Sequence, residues 1–127
     1  CPLPGGNRVG ILTNAGGPAI MATDACVNLG LEIAELSPAT RRELERFLPA
    51  AASLQNPVDM IASATAADYR RALETVLRDL GVDMAMVINV TPLIGMALRD
   101  LGAACTICSC SVFHSPQSGH LPIHLGV

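Results

Sequence analysis

A glycine-rich turn is the first feature of this sequence that could do chemistry. Residues 13–18 read TNAGGP and lie between a short apolar run and a segment with helical spacing. A helix that begins at such a turn gathers unpaired backbone N–H groups and the positive end of its dipole, which suits a phosphate or another anion. The alternative is that the glycines only permit the tight turn that any strand–helix unit needs. No Lys follows as in a Walker A loop, and the GxGxxG spacing of a dinucleotide site is absent.

A second group of polar side chains lies in the sequence Asn56-Pro57-Val58-Asp59. An amide and a carboxylate on a loop could orient a ligand or a partner loop. The alternative is an Asx-type turn, in which the side chains of Asn and Asp bond to their own backbone. The residues alone favour the turn and leave the ligand-orienting role open.

Cys105, Cys108, His120 and His124 form a third candidate site near the end of the chain. Their spacing is close to that of a zinc site with two Cys and two His ligands. A proline and a glycine interrupt the segment where a zinc finger would form its helix, and no basic residue accompanies it. The alternative is a tail that never evolved to fold here, such as a frame-shifted gene end, because no charged side chain occurs in residues 101–127.

Composition limits the function classes. The chain has 127 residues, enough for one domain, and only 2% of them are aromatic. It has no Lys and a net charge of −3, so it lacks both the stacking platform and the basic patch of a nucleic-acid-binding protein. No apolar run approaches the length of a membrane span. Five Cys without an export signal favour a reducing compartment and predict a cytoplasmic protein.

The elements expected to position these residues alternate between strands and helices. Apolar runs predict strands over residues 8–13, 31–36 and 84–90. Helical spacing and end signals predict helices from Pro18 to Gly30, from Ser37 to Pro49 and from Thr65 to Gly81, with residues 50–64 irregular. The first helix is expected to bury an apolar stripe made of Ile20, Met21, Ala25, Cys26 and Leu29.

This order of elements predicts an open α/β fold with a doubly wound parallel sheet. The loops that follow the strands then lie at one edge of the sheet, where ligands bind in such folds. The glycine-rich turn is one of these loops, so the pattern places the anion candidate at the ligand edge.

Four segments of the first 92 residues resemble the NDP-forming (ADP-forming) acyl-CoA synthetases, a family related to succinyl-CoA synthetase. The segments are residues 6–18 (GNRVGILTNAGGP), 30–37 (GLEIAELS), 56–60 (NPVDM) and 82–92 (VDMAMVINVTP). Four segments in this order and spacing are more specific than any single motif. The resemblance implies a truncated flavodoxin-like domain over residues 8–100, after a linker at residues 1–7 and before an atypical tail at residues 101–127.

The resemblance also implies an activity and the residues that serve it. Enzymes of this family interconvert acyl-CoA, ADP and phosphate with free acid, CoA and ATP, and a histidine on a mobile loop carries the phosphoryl group. The glycine turn and its helix resemble the helix that steadies this phosphohistidine. Asn14, Gly16 and Gly17 are therefore expected to donate hydrogen bonds to the phosphoryl group, and Asn56 and Asp59 to line the same active-site edge. No catalytic residue and no metal ligand is expected in this chain.

The implied partners are a CoA-binding domain and an ATP-grasp domain of the same enzyme, and neither occurs in this sequence. The phosphohistidine loop is also absent, and the chain starts at Cys1 rather than Met, so we expect a fragment that is inactive alone. CoA, ATP or ADP, and Mg²⁺ are expected only for the complete enzyme. Two other functions stay open: a non-catalytic anion-binding or regulatory module, and a small zinc-binding interaction protein.

Overall fold

The fold is built on a sheet with helices on both faces. A computed structural model describes residues 4–90 and the backbone of residues 108–114. In chain order the elements are β1 (Arg8–Thr13), α1 (Gly16–Asn28), β2 (Glu32–Ile33), α2 (Pro38–Glu45), β3 (Val58–Asp59), α3 (Ala66–Leu77), β4 (Met84–Val90) and β5 (Cys108–His114).

The sheet has the order β2-β1-β4-β5, with β1 at its centre. β2 pairs with the first half of β1 and β3 with its last two residues, both in parallel and on the same side. β4 runs parallel to β1 along its other side. The chain therefore adds strands first on one side of β1 and then on the other, which places the topological switch point between the carboxyl ends of β1 and β4.

Two apolar layers confirm the predicted doubly wound, flavodoxin-like fold. Successive side chains of a strand point to opposite faces of the sheet. On one face Val9, Ile11 and Ile88 pack with Cys26 of α1. On the other face Leu12 and Ala85 pack with the apolar sides of α2 and α3, in a cluster that includes Leu44, Ala72, Leu73, Val76 and Leu77.

The helix ends follow from local capping signals. The Ser37 hydroxyl accepts a hydrogen bond from the N–H of Thr40 at the start of α2. Thr65 and Asp68 form a reciprocal capping box at the start of α3, as the sequence predicts. Gly30, with φ of 82°, follows the end of α1 and adopts the left-handed conformation that suits glycine there.

The prediction of a buried apolar stripe on α1 is wrong for most of the residues in it. Ala19 and Cys26 are buried, whereas Ile20, Met21 and Leu29 are exposed. Asp24 is the only charged residue of this helix, so apolar residues lie on all of its sides. Apolar spacing therefore could not identify the side that contacts the sheet, and α1 turns its smaller side chains toward β1 and β2.

Two strands differ from the sequence prediction. β3 lies within residues 50–64, which were expected to be irregular, because two residues are too few to show an alternating pattern. β5 pairs antiparallel with β4, from Val90 opposite Cys108 to Met84 opposite His114, where an all-parallel sheet was expected. The predicted limits of the linker, domain and tail stay a prediction.

An ion pair fixes the start of β1 to the residues before β4. Arg8 Nε and Nη2 each donate to the Asp83 carboxylate at 2.8 Å, and the Arg8 backbone N–H donates to it at 3.0 Å. The side-chain hydrogen bond from Arg8 lowers the pKa of Asp83 to about 2. A carboxyl group with a lowered pKa in the folded chain stabilises the fold above its ordinary pKa of 3.8 and loses this effect as the pH falls through about 2.

We therefore expect Asp83→Asn to lower stability at pH 7 and to reduce the further loss of stability between pH 4 and pH 2. Urea unfolding at a series of pH values measures both effects. Glu45→Gln, at the exposed end of α2, serves as the control and is expected to follow the unmodified chain. Parallel pH profiles for Asp83→Asn and the unmodified chain would contradict the assignment.

Candidate functional site

The glycine-rich turn lies at the carboxyl end of the central strand, beside the switch point. β1 ends at Thr13, between β3 on one side and β4 on the other. α1 begins three residues later, at Gly16, so its N-terminal end lies at this edge of the sheet. The order of strands and helices predicted this place for the turn, and the structure confirms it.

Asn14 joins the two strands that border the switch point. Its side-chain Nδ2 donates to the carbonyl oxygen of Val90 at 2.8 Å, and its Oδ1 accepts from the N–H of Val90 at 2.8 Å. The residue is only 6% exposed. The Asn14 amide thus extends the pairing of β1 with β4 beyond the last backbone pair, and its predicted hydrogen bond to a phosphoryl group stays a prediction.

Thr13 fixes the geometry of the turn, a role that the sequence prediction missed. Its buried hydroxyl accepts from the N–H of Ala15 at 3.1 Å and donates to the Ala15 carbonyl oxygen at 3.0 Å. Its own carbonyl oxygen accepts from the N–H of Met60 at 2.8 Å. A Thr two residues before the N-cap of a helix was the available signal, since a Thr hydroxyl in a turn bonds to nearby backbone groups.

The N-terminal end of α1 offers backbone N–H groups to the surroundings. Ala15 is the N-cap, in an extended conformation with φ of −150° and ψ of 120°, and it has no side chain that could cap the helix. Gly16 and Gly17 are exposed, and no acidic residue occupies the first turn. Because the first N–H groups of a helix have no partner within it, those of Gly16 and Gly17 are available to an anion.

Asp59 lies next to Gly16, so the structure brings two of the predicted site segments together. A Cβ atom added to Gly16 would lie 3.3 Å from Asp59 Oδ2, whereas one added to Gly17 would meet nothing within 4 Å. Asp59 Oδ1 also accepts from the N–H of Ile61 at 2.9 Å. This bond forms the Asx-type turn that the sequence offered as the alternative to a ligand-orienting role. Ile61 has φ of 62°, a conformation that costs energy for a β-branched residue and is often found near functional sites.

Asn56 lies within the sheet, beside the middle of β1. Its Oδ1 accepts from the N–H of Ile11 at 2.8 Å, and its Nδ2 donates to the carbonyl oxygens of Val9 at 2.8 Å and Ala34 at 2.9 Å. These bonds reach residues far away in the sequence, so Asn56 does not form the expected local Asx turn. Its side chain holds β1 to the segment after β2, and contact of Asn56 or Asp59 with a ligand stays a prediction.

The described residues show neither a metal centre nor a membrane span. Within residues 4–90, no three side chains of His, Cys, Asp or Glu converge in a way that could hold a metal ion. The four candidate zinc ligands lie outside the residues whose side chains the structure describes. In the same part of the chain, no helix has the length and apolar character needed to cross a membrane.

Comparison with known proteins identifies relatives of this chain. Residues 9–99 match the family model described as the Ligase-CoA domain. The chain is 50% identical over 91 residues to "Acetate--CoA ligase [ADP-forming] II subunit alpha" of Pyrococcus furiosus, in a match that covers 72% of this chain and 20% of that protein. It is 41% identical over 85 residues to "Acetate--CoA ligase [ADP-forming] I" of Archaeoglobus fulgidus, in a match that covers 67% of this chain and 12% of that protein.

Two solved structures share the fold. A Pyrococcus horikoshii protein superposes with a TM-score of 0.71 at 47% identity, over 75% of this chain and 22% of that one. The dinucleotide-forming acetyl-coenzyme A synthetase 1 of Candidatus Korarchaeum cryptofilum superposes with a TM-score of 0.64 at 30% identity, over 69% of this chain and 19% of that one. This chain thus spans about a fifth or less of the length of the curated relatives described above.

Proposed function

This chain belongs to the Ligase-CoA domain family, and we propose that it works as one domain of an ADP-forming acyl-CoA ligase. Both curated relatives described above are named ADP-forming acetate–CoA ligases. Because the chain matches only a fifth or less of their length, the proposal assigns it one part of the active site and leaves the others to further domains. On this proposal the isolated chain turns over no substrate.

The part that we assign to this chain is stabilisation of a phosphoryl group at the N-terminal end of α1. The observation that carries this proposal is the uncapped and exposed pair of Gly16 and Gly17 N–H groups at the switch point of the sheet. Phosphoryl transfer depends mainly on positioning and on stabilisation of charge. Backbone N–H groups held by a folded sheet supply both, because they are already oriented before the phosphoryl group arrives.

The residues around the glycines hold the donors in place. Thr13 fixes the backbone of Ala15 through its hydroxyl, and Asn14 ties the end of β1 to the end of β4. Together they set the direction in which α1 leaves the sheet. Through these bonds to the chain itself both act as positioning residues, and the hydrogen bond from Asn14 to the phosphoryl group stays a prediction.

Asp59 adds a selectivity that an uncapped helix end alone would not have. Its carboxylate lies close to Gly16 and repels a free anion at that place. When its second ring nitrogen is protonated, a phosphohistidine carries a positive charge and an N–H that can donate to the Asp59 carboxylate. The site is therefore better matched to a phosphohistidine than to inorganic phosphate, which we expect to bind weakly.

We assign the cofactors of the complete reaction to other domains of the ligase. Within residues 4–90 no group of three or more His, Cys, Asp or Glu side chains could hold a metal ion, and the sequence has no Lys. We propose that CoA, ATP or ADP, and Mg²⁺ are bound by the CoA-binding and ATP-grasp domains.

Because inorganic phosphate is expected to bind weakly, the proposed site is tested by titrating the ¹⁵N-labelled full chain with phosphate up to high concentration at constant ionic strength. We expect amide shifts at Gly16, Gly17 and Ala19, which begin α1. The N-terminal end of α3 is the internal control, because the Thr65 hydroxyl and the Asp68 carboxylate already cap it and the carboxylate repels an anion. A well-folded sample without shifts at α1, or with equal shifts at both helix ends, would contradict a specific phosphoryl site.

A further inference from the structure

The outward side of α1 is apolar, unlike the outward side of α3. Ile20, Met21 and Val27 are 65%, 75% and 55% exposed. By contrast, α3 presents exposed Arg70, and Arg78 follows at its C-cap. A helix with apolar residues on all sides is normally covered on all sides, so the free face of α1 fits a contact with another body.

One charged side chain lies within this apolar surface. Asp24 is exposed and is three or four positions from Ile20, Met21 and Val27, so these residues share one face of the helix. We define Ile20, Met21, Asp24 and Val27 as the α1 outer face. Burial of a carboxylate in an apolar contact costs free energy unless a cation or hydrogen-bond donors meet it. A surface that covers this face must therefore be apolar and bring a positive charge to Asp24.

We propose that the α1 outer face docks another domain of the same ligase, through an apolar surface that carries one Arg or Lys opposite Asp24. The curated relatives are five or more times longer than the segment matched here, so the complete enzyme has ample chain to supply such a surface. This inference rests on the proposed function, because the partner is a domain of the ligase to which the proposed function assigns this chain.

A second copy of this chain fits the α1 outer face poorly. In a symmetric dimer the same surface meets itself across a two-fold axis. Pairing of two α1 outer faces would bring the two Asp24 carboxylates close together in an apolar contact. Like charges in such a contact repel each other, and nothing on this face of α1 supplies a cation between them.

Docking at this face would also place the partner beside the proposed phosphoryl site. Gly16 and Ile20 are four residues apart, which is about 6 Å along a helix axis. A domain that covers Ile20 and Met21 therefore reaches the N-terminal end of α1. The same contact could deliver the phosphorylated side chain to the Gly16 and Gly17 N–H groups and exclude water from it.

Oxidation of Met21 by hydrogen peroxide, followed by mass spectrometry of peptides, tests the docking. Met21 is 75% exposed, whereas Met60 is fully buried and reports whether the fold is intact. The probe is a chimera in which residues 9–99 replace the equivalent segment of the Pyrococcus furiosus subunit alpha. We expect Met21 to oxidise about tenfold or more slowly in the chimera than in this chain alone, with Met60 protected in both.

Two variants of the chimera separate docking from a general loss of structure. Asp24→Arg is expected to restore fast oxidation of Met21, because it puts like charges in contact across the interface. Leu80→Arg is the matched control, since Leu80 is 94% exposed and lies outside α1, and it is expected to leave Met21 protected. If the chimera does not fold, a graft of residues 16–28 alone gives the same readout.

Two results would overturn the proposal. One is equal oxidation of Met21 in a folded chimera and in this chain alone. The other is protection of Met21 in this chain alone at high concentration, which would identify a second copy as the occupant. The phosphate titration is independent of both results. Phosphate shifts together with an unprotected Met21 would reject the docking and keep the phosphoryl site. A protected Met21 without phosphate shifts would reject only the phosphoryl site.

Discussion

Replacement of Asn56 by Ala is expected to lower the free energy of unfolding by about 3 kcal/mol, since buried polar groups left unpaired cost about 1–3 kcal/mol each. Three backbone groups lose their partner in this variant: the Ile11 N–H and the carbonyl oxygens of Val9 and Ala34. Water cannot readily replace these bonds, because Val9, Ile11 and Ala34 are all buried. Urea unfolding followed by circular dichroism measures the loss.

Asn7→Ala is the matched control for this prediction. The Asn7 side chain makes one exposed hydrogen bond, from Nδ2 to the Gly30 carbonyl oxygen at 3.2 Å. Water can take its place, so we expect a loss well below that of Asn56→Ala. Equal losses for the two variants would show that Asn56 does not hold the sheet together in solution.

The same residue shows where sequence reasoning about the fold reaches its limit. Strands β1 and β4 and the starts of α2 and α3 follow from short-range signals: apolar runs, a Ser-Pro start and a Thr-Asp capping box. Asn56 bonds to residues 22 to 47 positions away. Nothing local distinguishes an Asn that bridges strands from an Asn that forms a turn, so only the folded chain reveals the role of this amide.

The orientation of α1 could not be predicted for a different reason. Its buried side is formed by Ala19 and Cys26, and its exposed side by Ile20 and Met21. Burial of the larger side chains is the expectation for an isolated domain, since it removes more apolar surface from water. Exposure of the larger side chains is expected for a domain whose other side is covered by a partner. A rule derived from one chain does not include that partner.

The candidate site was predictable in position but not in detail. The order of strands and helices places the turn at the ligand edge, and the structure confirms that place. The closeness of Asp59 to Gly16 depends on β3, which pairs with the last residues of β1 through only two positions. The positioning by Asn14 depends on its contact with Val90 at the end of β4, whereas the Thr13 hydroxyl acts locally, on Ala15. Sequence spacing therefore located the donors, whereas tertiary structure determined what surrounds them.

Replacement of Gly16 by Pro is expected to weaken phosphate binding about tenfold, because a hydrogen bond to a charged group contributes about 1.5 kcal/mol. The change removes one N–H donor from the proposed site. It fits the backbone, because Gly16 is the first residue of α1, where Pro is favoured, and Ala15 before it is already extended. We therefore expect little change in the free energy of unfolding, and phosphate titration by NMR measures the affinity.

Gly16→Ala separates the lost donor from the added atoms. Both variants place a Cβ atom about as close to Asp59 Oδ2, at 3.3 Å before any adjustment, but only Gly16→Pro lacks the N–H. If the donor matters, Gly16→Ala binds phosphate nearly as well as the unmodified chain and Gly16→Pro does not. Equal weakening in both would instead assign the effect to crowding against Asp59. The glycine would then serve close approach to the carboxylate, and the Gly16 N–H would have no part in holding the phosphoryl group.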